Sequence, residues 1–201
     1  MASYQQMSTT DQPLIDAILA GDTQSFGIIV DRYKDLVFTL ALRMLKHREE
    51  AEEVSQDTFI KVFRSLHKFR GESKLSTWIY KVAYYTCLDR LKKQKRTQHV
   101  VAIDEYTEHQ ITTIDNALDM MQKEERKEAI QDCLKLLPST DSALITLFYF
   151  EELSLEEISK IVDLTVNNVK VKLFRSRKKL TGILRERLEP EIIANYEREG
   201  Q

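Results

Sequence analysis

Ser154-Leu-Glu-Glu-Ile-Ser-Lys-Ile-Val-Asp-Leu-Thr-Val-Asn-Asn-Val-Lys-Val-Lys-Leu-Phe-Arg-Ser-Arg-Lys-Lys179 is the stretch whose reading decides the fold. Ser154 followed three residues later by Glu157 is a capping box, so a helix is expected to begin there. Ile158, Ile161 and Val162 give that helix a single apolar stripe. Asp163-Leu164 interrupts the pattern, and Thr165 can cap a second helix whose Val169 and Leu173 point inward one turn apart. No acidic residue occurs between Leu164 and Arg185, whereas Lys170, Lys172, Arg175, Arg177, Lys178, Lys179 and Arg185 supply seven positive charges. Such a helix fits the major groove of DNA, where cations meet phosphates and long or forked donors reach base edges. An ordinary helical hairpin with a solvated basic face is the alternative that this stretch leaves open.

Working outward, the 201 residues suffice for one medium domain or two small ones. A hydrophobic content of 42% supports packed cores, and only 5 Gly and 3 Pro, without β-branched runs at turn spacing, point to an all-α protein. The charged fraction is 31% but the formal net charge only -2, so a nucleic-acid binder of this composition must segregate its charges along the chain. Cys87 and Cys133 are far apart and lack CxxC partners, and His47, His67, His99 and His109 form no metal-ligand spacing with them. Reduced thiols in a cytoplasmic protein, with no metal and no cofactor, are therefore expected. The polar start Met1-Ala-Ser-Tyr-Gln-Gln lacks a leader pattern, and no apolar run approaches the ~20 residues of a membrane span.

Periodicity predicts the helices before the hairpin. Leu14 to Ala20 is a short one, stopped by Gly21-Asp22. From Ser25 a long amphipathic helix carries Phe26, Ile29, Val30, Tyr33, Leu36, Val37, Leu40, Ala41 and Met44 inward. Another begins near Glu49, with Ala51, Val54, Thr58, Phe59, Val62, Phe63 and Leu66 inward. The break Arg70-Gly71-Glu72-Ser73 separates it from a helix over about Ser76 to Lys95, completing a compact bundle. Residues 97–122 then hold Asp104, Glu105, Glu108, Asp115 and Asp119 but no Lys or Arg, and read as an acidic linker. Helical patterning resumes near Lys123, and a helix near Asp141 to Phe150 precedes the hairpin. Two small helical domains joined by an acidic tether are expected.

The first domain has its own charge geography. Glu49, Glu50, Glu52, Glu53 and Asp57 crowd the start of one helix, where acidic side chains complement the helix dipole. Glu53, Gln56 and Asp57 extend past that first turn and could equally face a basic partner helix. Arg90, Lys92, Lys93, Lys95 and Arg96 close the last helix of this domain, which also carries Trp78, Tyr80, Tyr84 and Tyr85. Cations at a helix C-terminus suit the dipole as well, but cations interleaved with aromatics are also what single-stranded DNA requires. Tyr84 and Tyr85 are adjacent and cannot share a face, so at least one is expected to be exposed. Phe69 to Ser73 could frame a pocket for an unstacked base, with Gly71 permitting close backbone approach.

These residues converge on a family. The chain resembles the extracytoplasmic-function (ECF) sigma factors, small bacterial promoter-recognition subunits of RNA polymerase. The resemblance is carried by Leu19-Ala-Gly-Asp22 with Phe26, Ala51-Glu-Glu-Val-Ser-Gln-Asp-Thr-Phe59, Phe69-Arg-Gly-Glu-Ser73, Thr77-Trp-Ile-Tyr-Lys-Val-Ala83 and Leu88-Asp-Arg-Leu91. In the second domain it rests on Leu137-Pro138, Leu153-Ser-Leu-Glu-Glu-Ile158 and Val169-Lys170 through Arg175-Ser-Arg-Lys-Lys-Leu180.

The resemblance implies that residues 1–96 form sigma region 2, residues 97–122 a linker, residues 123–187 sigma region 4 and residues 188–201 a tail. Region 2 would dock on the beta-prime clamp helices of core RNA polymerase through Glu52, Glu53, Gln56 and Asp57, and would melt the -10 element of promoter DNA. Phe69, Arg70, Gly71, Glu72 and Ser73 would capture a flipped base, and Lys81, Tyr84, Tyr85, Arg90, Lys92 and Lys93 would face the -10 element. Region 4 would read the -35 element with Asn167, Asn168, Lys170, Val171, Lys172, Phe174, Arg175, Arg177, Lys178 and Lys179, and the beta subunit of core polymerase is a further contact that the resemblance implies for the chain. The linker would thread the polymerase cleft, although a plain solvating tether accounts for its charge equally well. An anti-sigma factor is the further partner implied.

The chain departs from the family pattern at several positions. Tyr85 stands where many relatives have Asn, Asp163 where Gly is common in the turn, and Val171 and Lys172 where Ser and Arg are frequent. Stacking could replace hydrogen-bonded readout at Tyr85, and Val171 could pack on a thymine methyl. The competing reading is an operator-binding helix-turn-helix regulator with a helical sensor domain. A hydrolase is excluded because no nucleophile, base or metal cluster forms, and a pure adaptor leaves the basic helices without a purpose.

Overall fold

The computed structural model describes residues 11–95 and 123–187, and all regular structure among them is helical. The linker 97–122 and the tail 188–201 lie outside the described residues. The helices are α1 (Gln12–Leu19), α2 (Ser25–Leu45), α3 (Arg48–Ser65), α4 (Leu75–Lys95), α5 (Lys123–Leu136), α6 (Ser139–Ile145), α7 (Leu155–Val162) and α8 (Val166–Arg187). A 3-10 turn, Leu66–Lys68, follows α3, and a π turn, Thr146–Phe150, follows α6.

Local chemistry sets the helix ends. At α7 both halves of the capping box form: the Glu157 amide donates to Ser154 Oγ at 3.2 Å and the Ser154 amide to Glu157 Oε2 at 3.0 Å. Asp163 closes α7 in the left-handed region at φ 57°, a conformation that Asp adopts more readily than most residues. The Asn168 amide donates to Thr165 Oγ1 at 3.3 Å, capping α8. Before α2 the Asp22 carboxylate accepts from the Gln24 and Ser25 amides and from Ser25 Oγ.

In the first module α2, α3 and α4 pack on one another and α1 lies on α2. Most of the predicted inward set is buried: Ile29, Tyr33, Val37, Leu40, Ala41 and Met44 of α2 meet Ala51, Val54, Phe59 and Val62 of α3. Phe63, also expected inward, is instead 41% exposed and meets the Phe26 ring edge-on at 4.9 Å. Helix α4 is central. Ile79, Tyr80, Ala83, Tyr84 and Cys87 are buried, and Val82, Tyr85 and Leu88 are half-buried on its remaining sides. Burial nearly all round is why its sequence lacks a clear apolar stripe. The apolar surroundings of Cys87 push its thiol up to about 12, which leaves it protonated and unreactive near neutral pH.

In the second module α6 and α7 pack on α8, and α5 lies along α8. The two modules are not separate bodies. Helix α2 packs on α6 and α4 packs on α7, so one apolar cluster runs from Ile15 to Leu173 through both. Lys46, left-handed at the end of α2, donates from Nζ to the Leu137 carbonyl of the second module. The two helical domains expected from the sequence are both present, and they also pack directly on each other.

Candidate nucleic-acid interface

The basic helix α8 divides its residues by period. Val169 and Leu173 are buried, whereas Asn167, Asn168, Lys170, Val171, Lys172, Phe174 and Arg175 are exposed. Lys170, Lys172 and Arg175 have no ion-pair partner among the described residues, so three cations project from a surface that also bears the exposed apolar groups Val166, Val171 and Phe174. Lys178 Nζ lies 5.3 Å from the centre of the Phe174 ring, a cation–π contact on the same face.

The cations further along α8 are held by their own module. Lys179 Nζ is 2.6 Å from Asp141 Oδ2, and the buried Ser176 hydroxyl donates to Asp141 Oδ1 at 2.7 Å. Arg177 lies over the Tyr149 ring at 5.9 Å. Basic character in the sequence therefore divides into outward cations at 170–175 and cations at 177 and 179 that hold α8 to its module. The Arg185 side chain lies outside the described ones.

A second surface forms where α4 meets the loop before it. Gly71 has φ 71°, which strains any side-chain-bearing residue, and so the loop can turn sharply between Phe69 and Ser73. Phe69 and Trp78 stack at 5.5 Å with rings tilted 53°. Together they line a cavity of about 330 Å³ whose walls also include Lys68, Arg70, Glu72, Ser73, Thr77 and Lys81. Thr77, 1% exposed, has an Oγ1 without a hydrogen-bond partner among the described residues, so a polar group waits at the cavity wall. Thr77 could not be singled out from its sequence, because only the fold places a buried hydroxyl beside this opening.

Tyr84 is buried at 8% exposure and Tyr85 is half-buried, so neither ring is as open as adjacency on a helix implies. Their centroids are 5.5 Å apart at 88°, an edge-on contact in which Tyr84 buttresses Tyr85 from the core. Burial, and then the nearby Asp163 carboxylate, raises the Tyr85 phenol above its ordinary value, keeping it neutral. At the far end of α4, Lys92 and Lys93 are exposed, while Arg90 Nη2 pairs with Glu53 Oε2 at 2.7 Å.

The acidic residues of α3 are exposed at Glu52, Glu53, Gln56 and Asp57. Arg48 pairs with Glu52 at 3.0 Å and Arg90 with Glu53, while Gln56 and Asp57 have no side-chain partner among the described residues. Exposed pairs of this type contribute little to stability, so the patch remains open to exchange of partners. Among the described residues no group of three or more His, Cys, Asp or Glu could hold a metal ion, and no helix is long and apolar enough to cross a membrane.

A helix-turn-helix with an outward basic face, joined to a helical bundle with an aromatic cavity, is an arrangement that known proteins share. Residues 29–97 match the family model of Sigma-70 region 2, and residues 127–180 match that of Sigma-70 region 4. These matches define the class as the sigma-70 type of transcription initiation factor. The chain is 33% identical over 178 residues to the ECF RNA polymerase sigma factor SigW of Bacillus subtilis, covering 86% of this chain and 95% of that protein. It is 32% identical over 174 residues to the ECF RNA polymerase sigma-E factor of Escherichia coli, covering 84% of this chain and 91% of that protein. The chain belongs to the ECF RNA polymerase sigma factors.

The fold agrees with solved structures of the class. The structure of CnrH in complex with the cytosolic domain of CnrY superposes with a TM-score of 0.58 at 18% identity, covering 88% of this chain and 97% of CnrH. The sigma factor RpoE from Bartonella quintana, solved with the anti-sigma factor NepR, gives 0.56 at 18% identity, covering 81% of this chain and 98% of RpoE. The protein is thus an alternative sigma factor that directs transcription initiation, and the operator-binding alternative is set aside.

Proposed function

We propose that the two surfaces divide promoter recognition between them. The exposed face of α8, with Asn167, Asn168, Lys170, Val171, Lys172, Phe174 and Arg175, reads the -35 duplex, with Lys178 alongside. The Phe69–Ser73 loop with Lys81, Tyr85, Lys92 and Lys93 engages the -10 element, and the cavity beside Phe69 and Trp78 receives an unstacked base. Glu52, Glu53, Gln56 and Asp57 dock on core polymerase, and the acidic linker 97–122 follows its cationic cleft. Catalysis belongs to the polymerase; this chain supplies binding alone, in the cytoplasm, without metal or cofactor. An anti-sigma factor is a further partner, as the complexes of CnrH and of RpoE suggest.

The observation that carries the reading is the unpaired set Lys170, Lys172 and Arg175 on a helix whose opposite face is buried. The test is transcription with purified core polymerase on templates whose start sites have been mapped after overexpression. Wild-type protein should confer promoter-specific initiation, and Arg175→Ala should relax the preference at upstream positions. Unchanged upstream preference in Arg175→Ala would remove that residue from readout. Failure of the wild-type chain to redirect initiation would end the proposal as a whole.

A further inference from the structure

The outward face of α8 is not uniformly polar. Val171 is 42% exposed and Phe174 41% exposed, three positions apart and so neighbours on one side of the helix. Helical period sets Val171 almost diametrically opposite the buried line of Val169, Leu173 and Ser176, at the middle of the outward arc. Asn167 and Arg175 lie one turn before and after it, and Lys170 and Lys172 stand to either side, all four exposed. An apolar centre is thus ringed by polar and cationic groups, and no acidic residue occurs between Leu164 and Arg185.

Apolar surface left in water contributes nothing to the fold, so the worth of Val171 lies in what the helix touches. The surrounding cations select a polyanion. On the floor of its major groove duplex DNA presents donors, acceptors and one apolar group, the C5-methyl of thymine. A helix seated there, with Lys170, Lys172 and Arg175 toward the groove walls, brings the middle of its outward arc nearest the floor. Valine suits that position. Its branched Cβ leaves one dominant rotamer in a helix, so little side-chain freedom is lost on docking. It has no hydrogen-bonding group, and a methyl is therefore the feature of a base edge that it can recognise.

We propose that Val171, flanked by Phe174, reads the C5-methyl group of a pyrimidine in the -35 duplex. The inference rests on the -35 reading of α8 and names the chemical group recognised there. It also reaches past base sequence, because 5-methylcytosine carries the same methyl at the same place in the groove. The exocyclic groups of thymine and cytosine differ, but valine makes no hydrogen bond to either. Helix α8 accordingly separates methylated from unmodified cytosine at that position, and start-site choice by this chain responds to cytosine methylation of the upstream element.

The test uses holoenzyme formed from the full chain and core polymerase, bound to promoter fragments whose start sites have been mapped after overexpression. Each thymine of the upstream element, on both strands, is replaced in turn by uracil, which removes the methyl and leaves every hydrogen-bonding group in place. With the wild-type chain, one or two such replacements should weaken binding about 3- to 5-fold, the effect of burying one methyl. At the same base pair, 5-methylcytosine should bind more tightly than cytosine by a similar factor. Both ratios should fall to about one in Val171→Ser, whatever that exposed substitution does to overall affinity. Circular dichroism checks that the variant keeps its helices.

A thymine-to-uracil ratio near unity at every upstream position would overturn the proposal, as would an upstream element without thymine on either strand. Methyl sensitivity that survives in Val171→Ser would assign the contact to another residue and overturn it equally. Arg175→Ala separates these results from failure of the underlying reading. If it relaxes upstream preference while uracil is silent, α8 still reads the element and only the methyl contact is lost. If neither change has an effect, the -35 assignment falls and the methyl contact with it.

Discussion

Lys179 Nζ lies 2.6 Å from Asp141 Oδ2, on a carboxylate whose side chain is only 13% exposed. One of the cations that make α8 so basic is thereby committed to holding the helix against α6. The other carboxylate oxygen accepts from the buried Ser176 hydroxyl, so Asp141 joins two turns of α8. Loss of that carboxylate leaves an ammonium and a hydroxyl without their partner. Asp141→Ala is expected to destabilise the protein by about 2 kcal/mol, read from chemical denaturation. Lys179→Ala should cost less, because Lys179 is 39% exposed and its pairing is partly screened by solvent.

The same division of cations predicts unequal salt effects. Lys172→Ala or Lys170→Ala should lower the slope of log affinity against log salt by about one for -35 duplex, uniformly across sequences. Lys179→Ala should leave that slope nearly unchanged, because its charge is already matched by Asp141. Salt titrations of holoenzyme on duplex promoter fragments measure both. Equal slopes lost at 172 and 179 would contradict the partition.

Asp11 is 3% exposed and is met by Arg32 and by the Tyr33 hydroxyl at 2.5 Å, tying the start of α1 to α2. Burial, then the hydrogen bond to Asp11, drives the Tyr33 phenol well above its ordinary value, so it serves only as a donor. Asp11→Ala should cost about 2–3 kcal/mol, chiefly by leaving Arg32 and Tyr33 unpaired in a partly buried site. Denaturant unfolding monitored by circular dichroism measures it.

Glu157 supplies a pH dependence. Burial pushes its carboxyl up, but the Lys74 ammonium together with the Ser154 amide and hydroxyl outweighs burial and holds it below the ordinary 4.5. A carboxyl lowered on folding contributes stability that is fully present above its unfolded value. That contribution is lost as pH falls through the lower folded value. Stability differences between wild type and Glu157→Gln should therefore be constant from pH 7 down to about 5 and shrink at more acid pH. A difference that grows on acidification would reverse the assigned sign.

Trp78 is the single tryptophan of the chain and lines, against Phe69, the cavity proposed to receive an unstacked base. Its emission should be quenched when single-stranded DNA enters the cavity, since a base would lie against the indole. Phe69→Ala should weaken the quenching by several-fold while leaving the -35 duplex interaction unaltered. Fluorescence titration with oligonucleotides reads this directly.

Much of this protein was legible along the chain because its determinants are local. The capping box at Ser154 and Glu157, the Thr165 cap and the buried sets of α2, α3 and α8 depend on residues three or four apart, where side chains meet on one helix face. The basic stretch after Leu164 and the break at Arg70–Ser73 were visible for the same reason. What period could not resolve was α4: with apolar residues on nearly every side, it carries no stripe that says which side faces which neighbour.

Sequence alone determined the helices, their ends, the uneven distribution of charge and the family to which these add up. Tertiary structure decided which cations face outward, that Thr77 stands at a cavity wall, and that the second module closes on the first. The contacts that do so join residues 77, 88 and 91 positions apart, at Tyr85–Val162, Glu72–Lys160 and Lys46–Leu137. No helical period spans such separations. Only the packing of α2 against α6 and α4 against α7 brings those groups together, because burying apolar surface common to both modules fixes where their polar edges meet.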